Sequence, residues 1–466
     1  MQLFRNGNGN GAKNGNGSRR RDIISFTWPI ILTNLLMTLT VTVNMLMVGN
    51  LEGEHGVNAI AGVGLGSQVV FLSQAVMMAV SAGTIALIAR YIGAGEKEKA
   101  ERVLKQSVVL AMILSVPMIL FGWFLAGSIV DAFGATPEVQ ALGEVYVKYV
   151  FLGSAFSFFE FIMGAGIRGA GDMKTPLYMA LVTNAVNIGA GYVLIFGNFG
   201  APAMGVKGAA IANVLGFIVA ATVYAILVLR RKLVVNFPMK GRLFDASVIK
   251  KVMNIGVPAA AEQAILQVGF LFYTAIIVYF GTDALAGHQI GARIQGLAFM
   301  PGMGFALAAT ALVGQNLGAC DPDAAEECGW ESTKLSMLVM CGIGAVMFIF
   351  AEPMAGIFVS SDTASGAETI RFAALWIRLQ ALAMPAIGIH FTLSGALRGA
   401  GDTRWPLWVS ALGMFAVRLP IALALGFAFG GIGVLGAWIA FVVEYNVRAA
   451  IIAWRFKVGA WKTIKV

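Results

Sequence analysis

Arg168-Gly169-Ala170-Gly171-Asp172 returns, residue for residue, as Arg398-Gly399-Ala400-Gly401-Asp402. The offset is 398 − 168 = 230, and other landmarks stay close to it: Pro176 with Pro406, Pro29 with Pro258, Gly205-Val206 with Gly433-Val434, Gly208-Ala209 with Gly436-Ala437, and Gly93-Ala94 with Gly318-Ala319. One match could arise by chance, but a series in the same order marks an internal duplication. The stretches between the landmarks are long apolar runs without the alternation of a barrel strand. Runs of about 20 such residues are helices long enough to cross about 30 Å of hydrocarbon.

Composition agrees with a lipid-embedded chain. Its 466 residues are 58% hydrophobic and only 12% charged, with a mean hydropathy of +0.79, whereas soluble domains carry about 25% charged residues. The 57 glycines and 22 methionines suit close helix packing and an adaptable cavity. The net charge of +9 sits in short loops rather than along one helical face, which indicates membrane topology and no nucleic-acid partner. Cys320, Cys328 and Cys341 contain no C-x-x-C pair, so neither a disulfide framework nor a metal site is expected.

Twelve spans are predicted, near 23–49, 57–92, 103–128, 138–168, 176–197, 205–230, 248–280, 284–317, 330–357, 367–398, 406–430 and 433–456. Lys and Arg gather on alternate loops, including Arg19 to Arg21, Lys97 to Lys105, Arg230 to Lys251 and Arg455 to Lys465, while Glu52, Glu54, Asp131, Asp283 and Asp362 lie on the others. This bias predicts a cell inner-membrane protein with both termini cytoplasmic. The acidic run Asp321, Asp323, Glu326 and Glu327 falls on the basic side as an exception.

The repeat offset spans six helices, an even number, so the halves share orientation and are related by an axis along the membrane normal. The expected fold is an all-α membrane protein of twelve transmembrane helices in two homologous six-helix lobes. The expected parts are a disordered cytoplasmic tail over 1–22, an N-lobe over 23–230, a cytoplasmic linker over 231–247, a C-lobe over 248–456 and a cytoplasmic tail over 457–466. Halves so related rock about a central cavity to give alternating access.

Ionisable groups at bilayer depth cost about 2.5–3.5 kcal/mol on insertion scales and normally have a use. Glu160, Glu262, His288, Arg293, His390, Arg418 and Glu444 are such groups, accompanied by Asn44 and Asn187. Glu262 lies about 17 Å beyond Lys251 at 1.5 Å per residue, which is mid-bilayer. It either hydrogen-bonds a neighbouring helix for packing or serves cation exchange. Glu160 and His390 are related by the same offset of 230 and read as protonation or substrate-contact sites, or as locally satisfied polar groups. Glu444 stands one turn before Arg448, the spacing of an intrahelical ion pair. Arg168, Asp172, Arg398 and Asp402 read as loop anchors, with the glycines making tight turns. There is no Gly-Lys-Ser/Thr phosphate loop, H-E-x-x-H or G-x-S-x-G, so the chain reads as no enzyme and no ATPase. An ion gradient is the remaining source of energy.

In order and spacing, several segments resemble the multidrug and toxic compound extrusion (MATE) family over about residues 20–456: Pro29, Ala286-Gly287-His288-Gln289-Ile290, Gly314-Gln315-Asn316-Leu317-Gly318-Ala319, both R-G-A-G-D loops and Arg418-Leu419-Pro420. The resemblance implies a two-lobed twelve-helix fold and H⁺- or Na⁺-coupled efflux of cationic, aromatic compounds, without a bound cofactor. Many prokaryotic members carry an aspartate where Asn44 stands, and another where Gly191 follows Asn187. Amide oxygens can coordinate a cation but cannot carry a proton. A glutamate four residues after Pro258 looks like the DinF-type branch and makes Glu262 the expected main coupling group, with Glu160, His390, Asn44 and Asn187 beside it. Gln263, Gln267, Tyr273, Gln289, Met300 and Gln380 are the expected contacts of a small organic substrate. The expected partners are that substrate and membrane lipids, with the chain a monomer. The alternative is a flippase or exporter of a lipid-linked precursor or specialised metabolite, for which Arg293 and Arg418 are the cavity cations. A membrane sensor or enzyme would need an output domain or a nucleophile with its base, and the sequence offers neither.

Overall fold

The computed structural model describes residues 16–51, 54–238, 242–360, 363–427 and 432–464. Long apolar composition leaves the backbone only internal hydrogen-bond partners in lipid, so the chain is helical throughout its spans. The long helices are α1 (Asn16–Gly49), α2 (Glu54–Gly93), α3 (Lys97–Phe124), α4 (Pro137–Leu152 continued by Ser154–Gly169), α5 (Lys174–Phe196) and α6 (Val206–Leu229). The second half repeats them as α7 (Ala246–Val278), α8 (Thr282–Gly318), α9 (Pro322–Ile349), α10 (Ala364–Gly399), α11 (Arg404–Phe427) and α12 (Val434–Val458). Eleven are long and apolar enough to span a membrane, and α4, bent by 56° at Gly153, makes the twelfth. Its counterpart α10 is continuous over 36 residues.

The described residues form two compact units. One is Leu32–Val257; the other joins the described residues through Ile31 to Pro258 and onward. The division falls inside α1 and α7, beside Pro29 and at Pro258. Small residues set the packing within each unit. In the C-terminal unit a Cβ at Gly395 would lie 2.1 Å from the Ala306 carbonyl oxygen and one at Gly399 2.2 Å from that of Thr310, which brings α10 against α8 backbone to backbone. In the N-terminal unit Gly169 approaches the Ile85 carbonyl less closely, at 2.8 Å.

The two R-G-A-G-D loops close their helices alike. Gly171 and Gly401 take positive φ of 91° and 85°, while Asp172 N donates to Ile167 O and Asp402 N to Leu397 O. That is the left-handed glycine ending that satisfies the last helical carbonyls.

The segments after α6 and α12 also dock alike. The offset between α3 and α9 is 322 − 97 = 225, which pairs Glu101 with Glu326 and Gln106 with Glu331. Asn236 N donates to Glu101 and Asp245 N to Gln106, at 3.2 and 2.8 Å; Lys462 pairs with Glu326 at 2.7 Å and Asp323 at 3.0 Å. Residues 457–466, expected as a tail, are therefore seated where described: Trp461 is fully buried, stacks 4.6 Å from Phe456 and donates to its carbonyl. Of the expected N-terminal tail, residues 1–15 lie outside the described residues, and 16–22 form the first turns of α1. There Arg19 pairs with Glu327, and Arg20 with Glu331 at 3.2 Å. The acidic exception to the charge pattern is thus compensated by basic residues near both ends of the described chain. The stretch after α6, expected as a linker to 247, gives way to α7 at Ala246.

Candidate transport site

In the N-terminal unit, one face of α1 meets one face of α5. Thr40 hydrogen-bonds Asn184, and a Cβ at Gly191 would lie 3.4 Å from Met47 Sδ. Asn44 falls between Thr40 and Met47, as Asn187 falls between Asn184 and Gly191, so both amides occupy the interval between these contacts. Both are buried, and among the described residues Asn44 Oδ1, Asn187 Oδ1 and Asn187 Nδ2 have no hydrogen-bond partner. Glu160, on α4, accepts from Thr183 at 2.9 Å through Oε1, while Oε2 has no hydrogen-bond partner among the described residues. Arg168 lies two turns along the same helix from Glu160. A Cβ at Gly164 would sit 3.4 Å from its Nη1 and 3.6 Å from the Tyr224 hydroxyl, and its charge interacts with Glu160 and Tyr224. Asp172 caps α5, accepting from the amides of Lys174 and Thr175 at 3.0 Å. Alongside the donors Asn187 Nδ2 and Arg168 Nε, the uncommitted atoms of this cluster are the oxygens of Asn44, Asn187 and Glu160, the chemistry that receives a proton donor or a hard cation.

The C-terminal unit differs at the corresponding places. Glu262 is buried in an ion pair with Arg398 at 2.7 Å and accepts from the Ser410 hydroxyl at 2.8 Å. The Ser410 carbonyl accepts from Arg448 at 3.1 Å. Arg448 pairs with Glu444 across the turn that the sequence spacing indicates, and Glu444 also takes Arg418 at 2.6 Å. Glu444 and Arg448 are fully buried and Arg418 nearly so. A buried pair of this kind is held by good geometry rather than by net attraction, and removing one partner is costly. His390, buried beside Phe391 and Tyr445, feels the charges of Arg398 and Arg448. Asp402 accepts two bonds from Arg455, at 3.0 and 2.8 Å, where its twin caps a helix.

A seven-residue π-helix over Leu412–Arg418 carries Arg418. α5 and α11 begin 404 − 174 = 230 apart, and a π-turn holds one residue more than the α-turn it replaces, which makes the offset past it 231. Past it, Arg418 becomes the counterpart of Asn187 (418 − 231 = 187), and Tyr273 that of Asn44 (273 − 229 = 44, using the Pro29 and Pro258 offset). Two buried amides in one unit are therefore a ring and a cation in the other.

The MatE family model matches residues 29–193 and again 258–424. The two matches start 229 apart and end 231 apart, the same offsets. The chain belongs to the MATE family. It is 30% identical over 446 residues to a probable multidrug resistance protein NorM of Thermotoga maritima, covering 95% of this chain and 93% of the relative. It is 28% identical to a protein of the same description from Bradyrhizobium diazoefficiens, over 94% and 92% of the two chains. The fold is that of a MOP superfamily transporter from Pyrococcus furiosus, with a TM-score of 0.85 at 22% identity over 96% and 97% of the chains. A MATE crystal structure in a bent conformation superposes equally well, over 95% and 96%. A transporter family with a multi-pass, all-helical fold is thereby established for this chain.

The remaining candidates scatter through this MATE fold. Gln380 is buried and committed: with its amide oriented to satisfy both atoms, it accepts from Trp376 Nε1 at 2.6 Å and donates to the Gly291 carbonyl at 3.3 Å. Tyr273 is buried and donates to the Ala437 carbonyl at 2.9 Å. Gln263, Gln267 and Met300 are half-buried, while Gln289 and Arg293 are exposed. Ser410, Thr183 and Tyr224 were not singled out from the sequence. A serine or threonine in an apolar run has many uses, and only the fold puts these beside Glu262, Glu160 and Arg168.

Proposed function

We propose that the chain is an H⁺- or Na⁺-coupled antiporter that exports amphipathic or cationic organic compounds by alternating access, in the cell inner membrane with both termini cytoplasmic. The observation that carries this reading is the set of buried acceptor oxygens, Asn44 Oδ1, Asn187 Oδ1 and Glu160 Oε2, which lack hydrogen-bond partners among the described residues. Of these groups only Glu160 can carry a proton, so H⁺ coupling in this unit runs through Glu160, and Na⁺ coupling can use all three. Glu262 reaches a coupling cation only when Arg398 leaves it. His390 is a second-rank candidate, and Gln263, Gln267, Tyr273, Gln289, Met300 and Gln380 are proposed substrate contacts. The flippase alternative would draw on Arg293, which is exposed, and on Arg418, which shares Glu444 with Arg448.

The test is dye and ethidium movement in proteoliposomes under separately imposed Na⁺ and pH gradients, with Glu160→Gln and Glu262→Gln alongside the parent. Coupling lost in Glu160→Gln supports the assignment. Gradient-driven movement unchanged in both variants removes both carboxylates from the mechanism.

A further inference from the structure

The Arg418 guanidinium lies 4.7 Å from the ring of Phe441, 5.3 Å from Tyr273 and 5.6 Å from Tyr445. These are the distances at which aromatic faces hold an organic cation. The enclosure continues through Trp376, 5.0 Å from Phe441, and His288, 5.2 Å from Trp376 and 5.6 Å from Tyr273. The aromatic faces that would receive a cationic aromatic guest are therefore already engaged, by a cation tethered to the π-turn of α11.

The charge balance points the same way. Arg418 and Arg448 share one carboxylate, Glu444, which leaves one positive charge in excess. Among the described residues, Arg418 Nε and Trp438 Nε1, both obligate donors, have no hydrogen-bond partner, and the ring nitrogens of His288 have none either; Trp438 stacks 5.6 Å from Trp376. A box with spare donors and surplus positive charge complements an acceptor and repels a second cation.

We propose that Arg418 is a built-in cation that sets the charge selectivity of the C-terminal unit, barring organic cations from this aromatic box and favouring aromatic compounds that carry a carboxylate. The inference rests on the reading of the chain as an exporter of amphipathic compounds, and narrows its substrate class.

The experiment compares two probes of equal size and opposite charge, 2-naphthoate and 2-naphthylmethylammonium, binding to the purified full-length protein in nanodiscs. The parent binds the carboxylate about tenfold or more tightly than the ammonium, and Arg418→Gln, which removes the surplus charge and leaves Glu444 paired with Arg448, abolishes or reverses that preference. Arg418→Lys, milder for folding, keeps the charge and retains the preference for the carboxylate. Equal binding of both probes by the parent, binding of neither, or a preference unaltered in Arg418→Gln overturns the proposal, as does loss of the preference in Arg418→Lys. Failure of the underlying reading is seen separately. If proteoliposomes move neither probe nor ethidium under either gradient, export itself fails; if they move a probe with no dependence on Arg418, only the selectivity role is lost.

Discussion

The two units share a scaffold and differ in the polarity of what it leaves unspent. Asn44, Asn187, Glu160, Gly216 and Ala220 in the first unit correspond to Tyr273, Arg418, His390, Glu444 and Arg448 in the second, at offsets from 228 to 231. Duplication preserved the glycine endings, the docking of the following segments and the order of helices, all of which are backbone requirements. It did not preserve charge. The packing shows how the change was accommodated. Gly216 of α6 approaches the Thr183 carbonyl of α5, whereas in the second unit the glycine is on α11: Gly413, the counterpart of Thr183, leaves the space that Arg448 of α12 fills. A small residue crossed from one helix to its partner, and a buried charge took the other side.

The largest way to break the comparison is at Glu444. Glu444→Gln leaves Arg418 and Arg448 buried without their carboxylate and is expected to cost about 3–5 kcal/mol of stability, measured by thermal unfolding in detergent. Adding Arg418→Gln should return part of that loss, since the surplus cation goes with it. No such effect can exist in the first unit, where Gly216 and Ala220 stand.

A smaller effect tests the helix crossings. Gly395→Ala places a Cβ against the Ala306 carbonyl and should cost about 1–3 kcal/mol. Its counterpart is already an alanine, Ala165, and Ala165→Gly should cost about 1 kcal/mol or less, mainly in helix propensity. Equal losses at the two sites would show that the approach of α10 to α8 is no tighter than that of α4 to α2.

Glu160→Gln separates stability from function. Among the described residues the side chain makes one hydrogen bond, to Thr183, so its stability change should stay within about 1 kcal/mol. Cation-driven movement, by contrast, should be lost if Glu160 carries the coupling proton.

The scaffold was legible in the sequence because its determinants are local or periodic. Apolar runs of fixed length, alternating basic loops and the R-G-A-G-D repeat locate nine of the twelve helices to within about three residues, while α1 and α3 begin seven and six residues before the expected starts and α9 lies eight residues earlier than expected. The site was legible only as an inventory. Glu444 with Arg448 follows from spacing on one helix, but the third member, Arg418, lies on another, and its register is shifted by an extra residue that no propensity announces. Glu262 shows the same gap: its depth can be read from Lys251, whereas its pairing with Arg398, 136 residues away, is a tertiary fact. The bend at Gly153 is a further case, since the sequence between 138 and 168 reads as one apolar run.

The smallest effect is at the docking of the segments that follow α6 and α12, which differ in the donor they use. In the first unit Glu101 accepts from the Asn236 backbone amide, which does not titrate in the accessible range. In the second, Glu326 and Asp323 take Lys462, and the hydrogen bond to Glu326, then that to Asp323, holds the ammonium above its ordinary value of 10.5. A lysine whose folded value is raised adds stability in full below the unfolded value and loses it as pH rises through the folded one. The C-terminal segment should therefore stay seated up to about pH 10 and loosen only above pH 10.5, while the segment after α6 remains docked. Because these carboxylates are partly or largely exposed, added salt should weaken the contact at neutral pH in the same direction. Hydrogen exchange followed separately at residues 459–464 and 232–238, across pH and salt, distinguishes the two, with exchange corrected for its intrinsic pH dependence. If both segments loosen together, docking depends on the burial of Leu233 and Trp461 alone, and the difference in donor has no consequence for how the halves are closed.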